Sequence, residues 1–196
     1  MQFVEGFFIW VIKTMFKKLQ KKMFAAVVIA VLSSTPALHA SLQMQGRLIP
    51  ATPYDGRMNM AGVLAISAAS HNAQGMETLF ATAKAFRYQA DAAGHDRWQT
   101  PEETQARWSG DCEDKAVWLY AQLKKNGYEG VRLVIGRQNP SSRGLHAWVT
   151  LDNSDGTFYV LDPTAQKRVW NSNDFSDGSY RPLYSFDGSN RYRHDA

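Results

Sequence analysis

The sequence has 196 residues, of which 44% are hydrophobic and 12% aromatic, enough for one hydrophobic core and too few for two full-sized domains. Its formal net charge of +4 comes from residues 1–40, because the basic and acidic residues from Ser41 onward are equal in number. A nucleic-acid-binding protein needs a concentrated cationic surface, so the composition argues against this class and we expect no nucleic-acid partner.

The amino terminus has the pattern of an export signal. Several lysines precede the apolar run Phe24–Leu32, and a small residue precedes a cleavage point at Ser41. The run is shorter than the roughly 20 apolar residues that span a bilayer, which favours cleavage over the alternative, an uncleaved anchor. We therefore expect residues 1–40 to be a signal peptide, with translation starting at Met15. Residues 41–196 are then one periplasmic or secreted domain that is not embedded in the membrane.

The first half of this domain has helical spacing. Its helix signals include a capping box, in which Thr100 caps a helix, Pro101 suits its first turn and Glu103 completes the box. A glycine follows two of the predicted helices, as is common at helix ends. In chain order we predict an irregular lead-in over 41–60, a helical turn over 60–70, a helix over 74–93, a short helix from Thr100, and a helix from Cys112 to Asn126 stopped by Gly127.

The second half changes to alternating or continuously apolar segments, which are typical of strands. These segments are residues 131–137, 144–152 and 157–162, with a tight turn at 153–156 between the last two. Residues 171–196 are rich in Ser, Gly, Asp, Tyr and Arg, and we predict a loop there with at most one short strand. Helices followed by antiparallel strands indicate an α+β domain with the helices packed on one face of a sheet.

Cys112 is the only cysteine, so the chain forms no internal disulfide. In an oxidising compartment a lone thiol is either a small buried residue or a reactive nucleophile. Cys112 lies in the first turn of a predicted helix, where backbone N–H groups and the helix dipole favour a thiolate. This position favours the nucleophile.

A cysteine nucleophile needs a general base and a group that orients the base. His146 lies within the second predicted strand and Asp162 ends the third. If these strands pair through the turn centred on residue 154, His146 and Asp162 lie directly opposite each other or nearly so, within side-chain reach. The register therefore predicts a triad of Cys112, His146 and Asp162; the alternatives are an ordinary half-buried histidine and a turn-forming aspartate.

Four motifs surround the predicted site residues. They are Trp98-Gln-Thr-Pro101, Gly110-Asp111-Cys112-Glu113-Asp114-Lys-Ala116, Leu145-His146-Ala147-Trp148-Val149 and Tyr159-Val160-Leu161-Asp162. In this order the motifs resemble those of the bacterial transglutaminase-like cysteine peptidases, which include calcium-dependent periplasmic enzymes that release large adhesins from the cell surface. The resemblance covers about residues 85–165. It implies a transglutaminase-like or papain-like fold and a catalytic triad formed by Cys112, His146 and Asp162.

Three acidic residues, Asp111, Glu113 and Asp114, flank the predicted nucleophile. Their charges disfavour a thiolate at Cys112, and a bound cation would relieve that conflict. Carboxylate oxygens suit Ca²⁺, and the resemblance implies calcium at these positions, so we expect a Ca²⁺ site formed by the three acids. The alternative is that they only cap the helix and complement its dipole.

The sequence thus predicts an exported cysteine peptidase that hydrolyses peptide bonds of a protein substrate, such as a cell-surface or periplasmic adhesin. The resemblance also suggests a membrane-bound regulatory receptor as a partner. Two alternatives remain open at this point: acyl transfer to an amine by the same triad, and a calcium-dependent binding module without catalysis.

Overall fold

The computed structural model describes residues 46–66, 75–139, 141–153, 156–172, 174 and 179–195. The predicted signal peptide lies outside these residues. Within them the helices are α1 (Asp55–Met60), α2 (Met76–Ala85), α3 (Pro101–Arg107) and α4 (Cys112–Lys125). The strands are β1 (Arg47–Leu48), β2 (Arg87–Tyr88), β3 (Ser109–Gly110), β4 (Val131–Arg137), β5 (His146–Asp152), β6 (Phe158–Leu161), β7 (Trp170–Asn171), β8 (Arg181–Asp187) and β9 (Asn190–Arg193).

Seven of these strands form one antiparallel sheet in the order β1-β9-β8-β4-β5-β6-β7. The other two, β2 and β3, pair in parallel beside the start of α4. Strands β4 and β5 lie near the middle of the sheet, and the end of β5 that carries His146 pairs with Gly136 of β4.

The main core lies between one face of the sheet and α4. Leu119 and Leu123 of α4 are fully buried, as are Leu133 of β4 and Val149 of β5. Burying a side chain of this kind stabilises the fold by about 1.5–3 kcal/mol. The nucleophile helix is therefore fixed to the strands that carry the other candidate site residues.

A second, smaller apolar cluster covers the opposite face of the sheet. It contains Val134, Trp148, Phe158, Val160 and Tyr180, all buried. The sheet is thus covered on both faces in this region, which accounts for the nearly continuous apolar sequences of β4 and β5.

Several sequence predictions are confirmed. The α+β class, with helices on an antiparallel sheet and the cysteine at a helix amino terminus, is the observed architecture. Thr100 and Glu103 form the predicted capping box at the start of α3. Helix α4 ends at Lys125, and Gly127 adopts a left-handed backbone with φ +81° just beyond it.

Other predictions were wrong. Helix α2 stops at Ala85, because Phe86 turns to an extended backbone and the next residues pair with β3. Residues 55–60 of the supposed irregular lead-in form α1. The predicted carboxy-terminal loop contains β7, β8 and β9, and β8 pairs directly with the central strand β4.

The pairing of β5 with β6 places His146 and Asp162 nearly opposite each other, with the centre of the turn displaced by one residue from its predicted position. Val149 pairs with Leu161 and Thr150 with Val160, so the two strands are centred on residue 155 and not 154. Extending this register puts Asp162 opposite Trp148, and His146 is its diagonal neighbour on the same face. Diagonal neighbours remain within reach of long side chains, so the two still meet.

Candidate active site

Cys112 is the first residue of α4, and its side chain is half-buried. Cys112 and His146 both line one cavity, whose volume is about 400 Å³. His146 is the first residue of β5, so a helix start and a strand start converge on this cavity. The structure therefore brings together the predicted nucleophile and the predicted base.

The side chain of His146 contacts the side chain of Asp162. The Nε2 atom of His146 lies 2.6 Å from Oδ2 of Asp162, which follows β6 directly. The ring of His146 is also stacked on Trp148, with centroids 6.2 Å apart. The imidazole is thus fixed by a hydrogen bond at Nε2 and by stacking on an aromatic face. The hydrogen bond to Asp162 does not use the other ring nitrogen, Nδ1.

Asp162 is completely buried, and donors surround its carboxylate. Oδ2 contacts Nε2 of His146 and accepts a hydrogen bond from the hydroxyl of Tyr180 at 2.8 Å. Oδ1 accepts the backbone N–H groups of Thr164 and Ala165 at 2.9 and 3.0 Å. Burial opposes ionisation, but these hydrogen bonds and the charge of His146 hold the pKa of Asp162 below its usual range.

The thiol of Cys112 has the opposite electrostatic setting. Burial raises its pKa above the ordinary value, and the charge and hydrogen bond of Glu113 raise it further. The sulfur donates to Oε2 of Glu113 at 3.0 Å, while the backbone N–H of Ala147 favours the thiolate. The acidic neighbours therefore disfavour the thiolate form of Cys112, and a positive charge beside them would offset this effect.

Two of the three predicted metal ligands are part of an acidic group in the structure. Ligand oxygens of Asp91, Asp111 and Glu113 all lie within 4.8 Å of one another. Sequence reasoning missed Asp91, which lies about 20 residues before the motif and belongs to no recognisable pattern. Burial, followed by the charge of Glu113, raises the pKa of Asp111.

Asp114, the third predicted ligand, has a different set of partners. Its carboxylate accepts the backbone N–H of Gln99 at 2.7 Å, the amide Nε2 of Gln99 at 2.5 Å and the backbone N–H of Asp111 at 3.3 Å. The side chain is 1% exposed and forms a capping box with Asp111. Asp114 therefore ties the start of α4 to the segment before α3.

The cavity wall also includes residues outside the predicted triad and the predicted metal ligands. Tyr54 and Arg57 contribute from the start of the domain, and Asp96 and Trp98 contribute from the segment before α3. Arg57 and Asp96 form an ion pair at 2.7 Å, and Trp98 donates to Asp96 at 3.0 Å. Since both partners of the ion pair are part of the rim, the cavity has charged groups of both signs at its mouth.

Among the described residues, no helix is long and apolar enough to cross a membrane.

Comparison with known proteins gives a family match and a structural match. A model of the transglutaminase-like domain matches residues 65–175, more than half of the chain. No curated protein matches the sequence. The fold is similar to that of Legionella pneumophila LapG, with 18% identity, a TM-score of 0.52, and coverage of 79% of this chain and 84% of LapG.

Two further structures of LapG match equally well. The calcium-bound form has 18% identity and a TM-score of 0.52 over 80% of this chain and 87% of LapG. The EGTA-treated form has the same identity and TM-score over 79% of this chain and 82% of LapG.

Proposed function

The chain belongs to the transglutaminase-like family, and from that membership we propose that it is a cysteine peptidase that hydrolyses peptide bonds of a protein substrate. Cys112 is the nucleophile, His146 is the general base, and Asp162 orients the imidazole. The observation that carries the proposal is the 2.6 Å contact between His146 and Asp162 at a cavity shared with the only cysteine. A histidine held by a carboxylate beside a thiol is the arrangement that acyl transfer requires.

The chemistry proceeds in two steps. Nδ1 of His146 takes the thiol proton, and the sulfur of Cys112 attacks the peptide carbonyl. The C–N bond breaks, the amine leaves with the proton from His146, and the acyl group remains on the sulfur. A water molecule, deprotonated by His146, then attacks the thioester and releases a carboxylic acid and the free thiol. The backbone N–H of Cys112, at the first position of α4, helps to stabilise the oxyanion.

Calcium fits the acidic group beside the nucleophile. Asp111 is 7% exposed, and its Oδ1 atom has no hydrogen-bond partner within the described residues, an unfavourable state for a buried carboxylate. Asp91, Asp111 and Glu113 supply carboxylate oxygens, the donors that Ca²⁺ prefers, and we propose that these three hold the ion while Asp114 fixes the helix start. Bound there, Ca²⁺ would offset the negative charge that opposes a thiolate at Cys112.

The compartment and the partners are also part of the proposal. The lysine-rich and apolar pattern of residues 1–40 supports export to the periplasm. A cell-surface or periplasmic protein such as an adhesin is the substrate that the motif resemblance suggests, and a membrane-bound receptor is the corresponding regulator. The exposed rim of the cavity, with Arg57 and Asp96, is compatible with a polypeptide substrate.

The test is cleavage of a complex peptide mixture by the purified protein with Ca²⁺ present. Peptides from a bacterial proteome are incubated with the wild type or with Cys112→Ser, together with a labelled primary amine, and are analysed by mass spectrometry. We expect new peptide termini that require Cys112. Labelled glutamine side chains without new termini would instead identify an amine transferase. No difference between the two proteins would leave the non-catalytic binding module as the remaining account.

A further inference from the structure

Tyr180 contacts the proposed triad from a part of the chain outside the motifs. Its hydroxyl donates to Oδ2 of Asp162 at 2.8 Å, the same oxygen that contacts Nε2 of His146 at 2.6 Å. Both Tyr180 and Asp162 are buried, with 8% and 0% of their surfaces exposed. A hydrogen bond to a buried carboxylate is stronger than one between neutral groups.

The ring of Tyr180 is held from two sides by aromatic residues. Its centroid lies 5.1 Å from Trp148 and 5.9 Å from Trp170, both in edge-on arrangements. Edge-on aromatic pairs of this kind stabilise a fold beyond the contribution of the area that they bury. Packing of the ring therefore fixes the position of the hydroxyl beside Asp162.

The backbone of Tyr180 adopts a left-handed conformation with φ +55°, which is unfavourable for a residue with a side chain. The adjacent backbone is fixed, since the N–H of Tyr180 donates to the carbonyl of Gln138 at 2.8 Å. Conformations of this kind are unfavourable by themselves and persist where the surrounding structure holds the residue in place. Here the surroundings are the aromatic pair and the carboxylate.

The environment of Asp162 keeps the hydroxyl of Tyr180 protonated, so that it donates a hydrogen bond. The groups that act on Asp162 are His146, Tyr180 and, from α4, Lys115, whose pKa is lowered by burial first and then by Lys84. Burial and the charge of Asp162 raise the pKa of Tyr180, so the phenol keeps its proton. The neutral phenol therefore donates a hydrogen bond to the Asp162 carboxylate and places no second negative charge beside it.

We propose that Tyr180 is a positioning residue for the triad: its hydroxyl holds the Asp162 carboxylate in the orientation that presents Oδ2 to His146. The inference rests on the proposed function, because it gives Tyr180 a role only if His146 acts as the base. Within the described part of the chain, Tyr180 does not line the cavity that Cys112 and His146 share, so its effect on turnover passes through Asp162. Removing the hydroxyl leaves Oδ2 with one donor and lets the carboxylate rotate away from the imidazole.

The test compares Tyr180→Phe with Tyr120→Phe in hydrolysis of p-nitrophenyl acetate. Tyr120, in the second half of α4, is a matched control. It is also buried, and its hydroxyl accepts a hydrogen bond from the backbone N–H of Gly188 at 2.8 Å. We expect Tyr180→Phe to lower kcat by roughly tenfold or more with little change in KM. Tyr120→Phe should lower the melting temperature similarly while leaving kcat unchanged. Both are assayed at a temperature where circular dichroism shows them folded.

A double-mutant cycle separates positioning from general destabilisation. In an Asp162→Asn background, Tyr180→Phe should cause no further fall in kcat, since its effect passes through the lost carboxylate. Wild-type kcat in Tyr180→Phe, or the same fold-loss in both backgrounds, would overturn the inference. If Cys112→Ala hydrolyses the ester as fast as the wild type, the proposed function itself fails. The two failures are therefore distinguishable.

Discussion

At the scale of single residues, the site depends on a buried aspartate whose four acceptor positions are all used. Asp162 receives one side-chain contact from His146, one from Tyr180 and two backbone N–H groups. A carboxylate so fully bonded costs little to bury, although it is completely removed from solvent. This arrangement gives Asp162 a fixed position, which is the property that orienting an imidazole requires.

Asp162→Asn tests that role directly. The amide keeps the size of the side chain but brings an NH₂ group against the donors that surround it, and it removes the negative charge opposite His146. We expect turnover of a cleaved peptide to fall by about a hundredfold or more while the protein stays folded. Asp152→Asn, at the exposed end of β5, is the control and should turn over normally. Unchanged turnover in folded Asp162→Asn would remove Asp162 from the triad.

The proposed calcium site makes a second prediction. Calorimetric titration of metal-stripped protein with Ca²⁺ should show heat of binding, and Ca²⁺ should raise the melting temperature by mass action. Mg²⁺ should substitute poorly, because it demands a tighter shell and gives up water reluctantly. Asp91→Asn should weaken binding at least about tenfold, through loss of one charged ligand.

Glu77→Gln is the matched control for Asp91→Asn, because it removes one negative charge from the exposed first turn of α2, outside the acidic group. Its affinity for Ca²⁺ should equal that of the wild type. A wild-type melting curve that is identical with Ca²⁺ and with chelator would leave Asp111 and Glu113 with only the capping and dipole roles at the start of α4.

At the residue scale, the roles of the predicted triad stay predictions, and the structure shows only where the three residues lie. Cys112, His146 and Asp162 meet at one cavity or in direct contact, as the spacing suggested, even though the register behind the prediction was displaced. Asp91 and Tyr180 could not be found this way. Each joins the site through folding of a distant segment, and neither is part of a local pattern.

At the scale of elements, buried hydrogen bonds and close packing fix the start of α4. Asp114 binds Gln99 through two hydrogen bonds and Asp111 through one. A Cβ atom on Gly110 would lie 2.5 Å from Cβ of Asp114, so only glycine fits against this carboxylate. The sequence Gly-Asp-Cys-Glu-Asp is thus a packing unit as well as a site motif.

Asp114→Ala should therefore destabilise the domain strongly. The substitution removes the carboxylate that accepts hydrogen bonds from the backbone N–H and the side-chain amide of Gln99. Each buried donor that loses its acceptor costs about 1–3 kcal/mol of stability. We expect the free energy of unfolding, measured in denaturant, to fall by about 3 kcal/mol. Glu102→Ala removes an exposed acid from the first turn of α3 and should cost less than about 1 kcal/mol. Equal losses in the two variants would refute the structural role of Asp114.

The elements that sequence predicted well are those with local signals. Helices α3 and α4 have caps and a periodic apolar face, and β4 and β5 are apolar strands bounded by turn residues. Strands β8 and β9 were missed, because their polar composition resembles a loop and their pairing with β4 and β1 is long-range. Helix α2 was predicted too long, since the parallel pairing of β2 with β3 overrides the helical pattern after Ala85.

At the scale of the whole molecule, the fold links stability to pH through a histidine far from the proposed triad in sequence. His194 follows β9 and is 5% exposed, with Nε2 at 2.9 Å from the hydroxyl of Ser185 on β8. Burial, and then the charge of Arg132, lowers the pKa of His194 to about 4. An unfolded chain binds this proton near the ordinary value of about 6.5.

The unfolded state therefore binds more protons than the folded state between pH of about 6.5 and 4. Stability should fall as the pH drops through this window, by up to about 3 kcal/mol from this group. His194→Gln should flatten this part of the stability curve, measured by denaturant unfolding at several pH values. His95→Gln, which changes an exposed histidine, should retain the slope. The same slope in both variants would assign the pH dependence to other groups.

The overall architecture was predictable because a family motif and the helix-then-strand order both pointed to one α+β class. The cavity was not, because Tyr54 and Arg57 reach it from the start of the domain through contacts that no local pattern encodes. Export, substrate and receptor stay predictions, since they concern the signal-like terminus and molecules that bind the surface.

The central claim is that Cys112 forms an acyl-enzyme with the help of His146. The most direct measurement is peptide mass spectrometry of protein quenched in acid during turnover of p-nitrophenyl acetate. We predict one acetyl group on Cys112 in the wild type, and little or none in His146→Ala or Cys112→Ser at the same time point. Ester turnover without an acetyl group on Cys112, or with the group on another residue, would contradict the account.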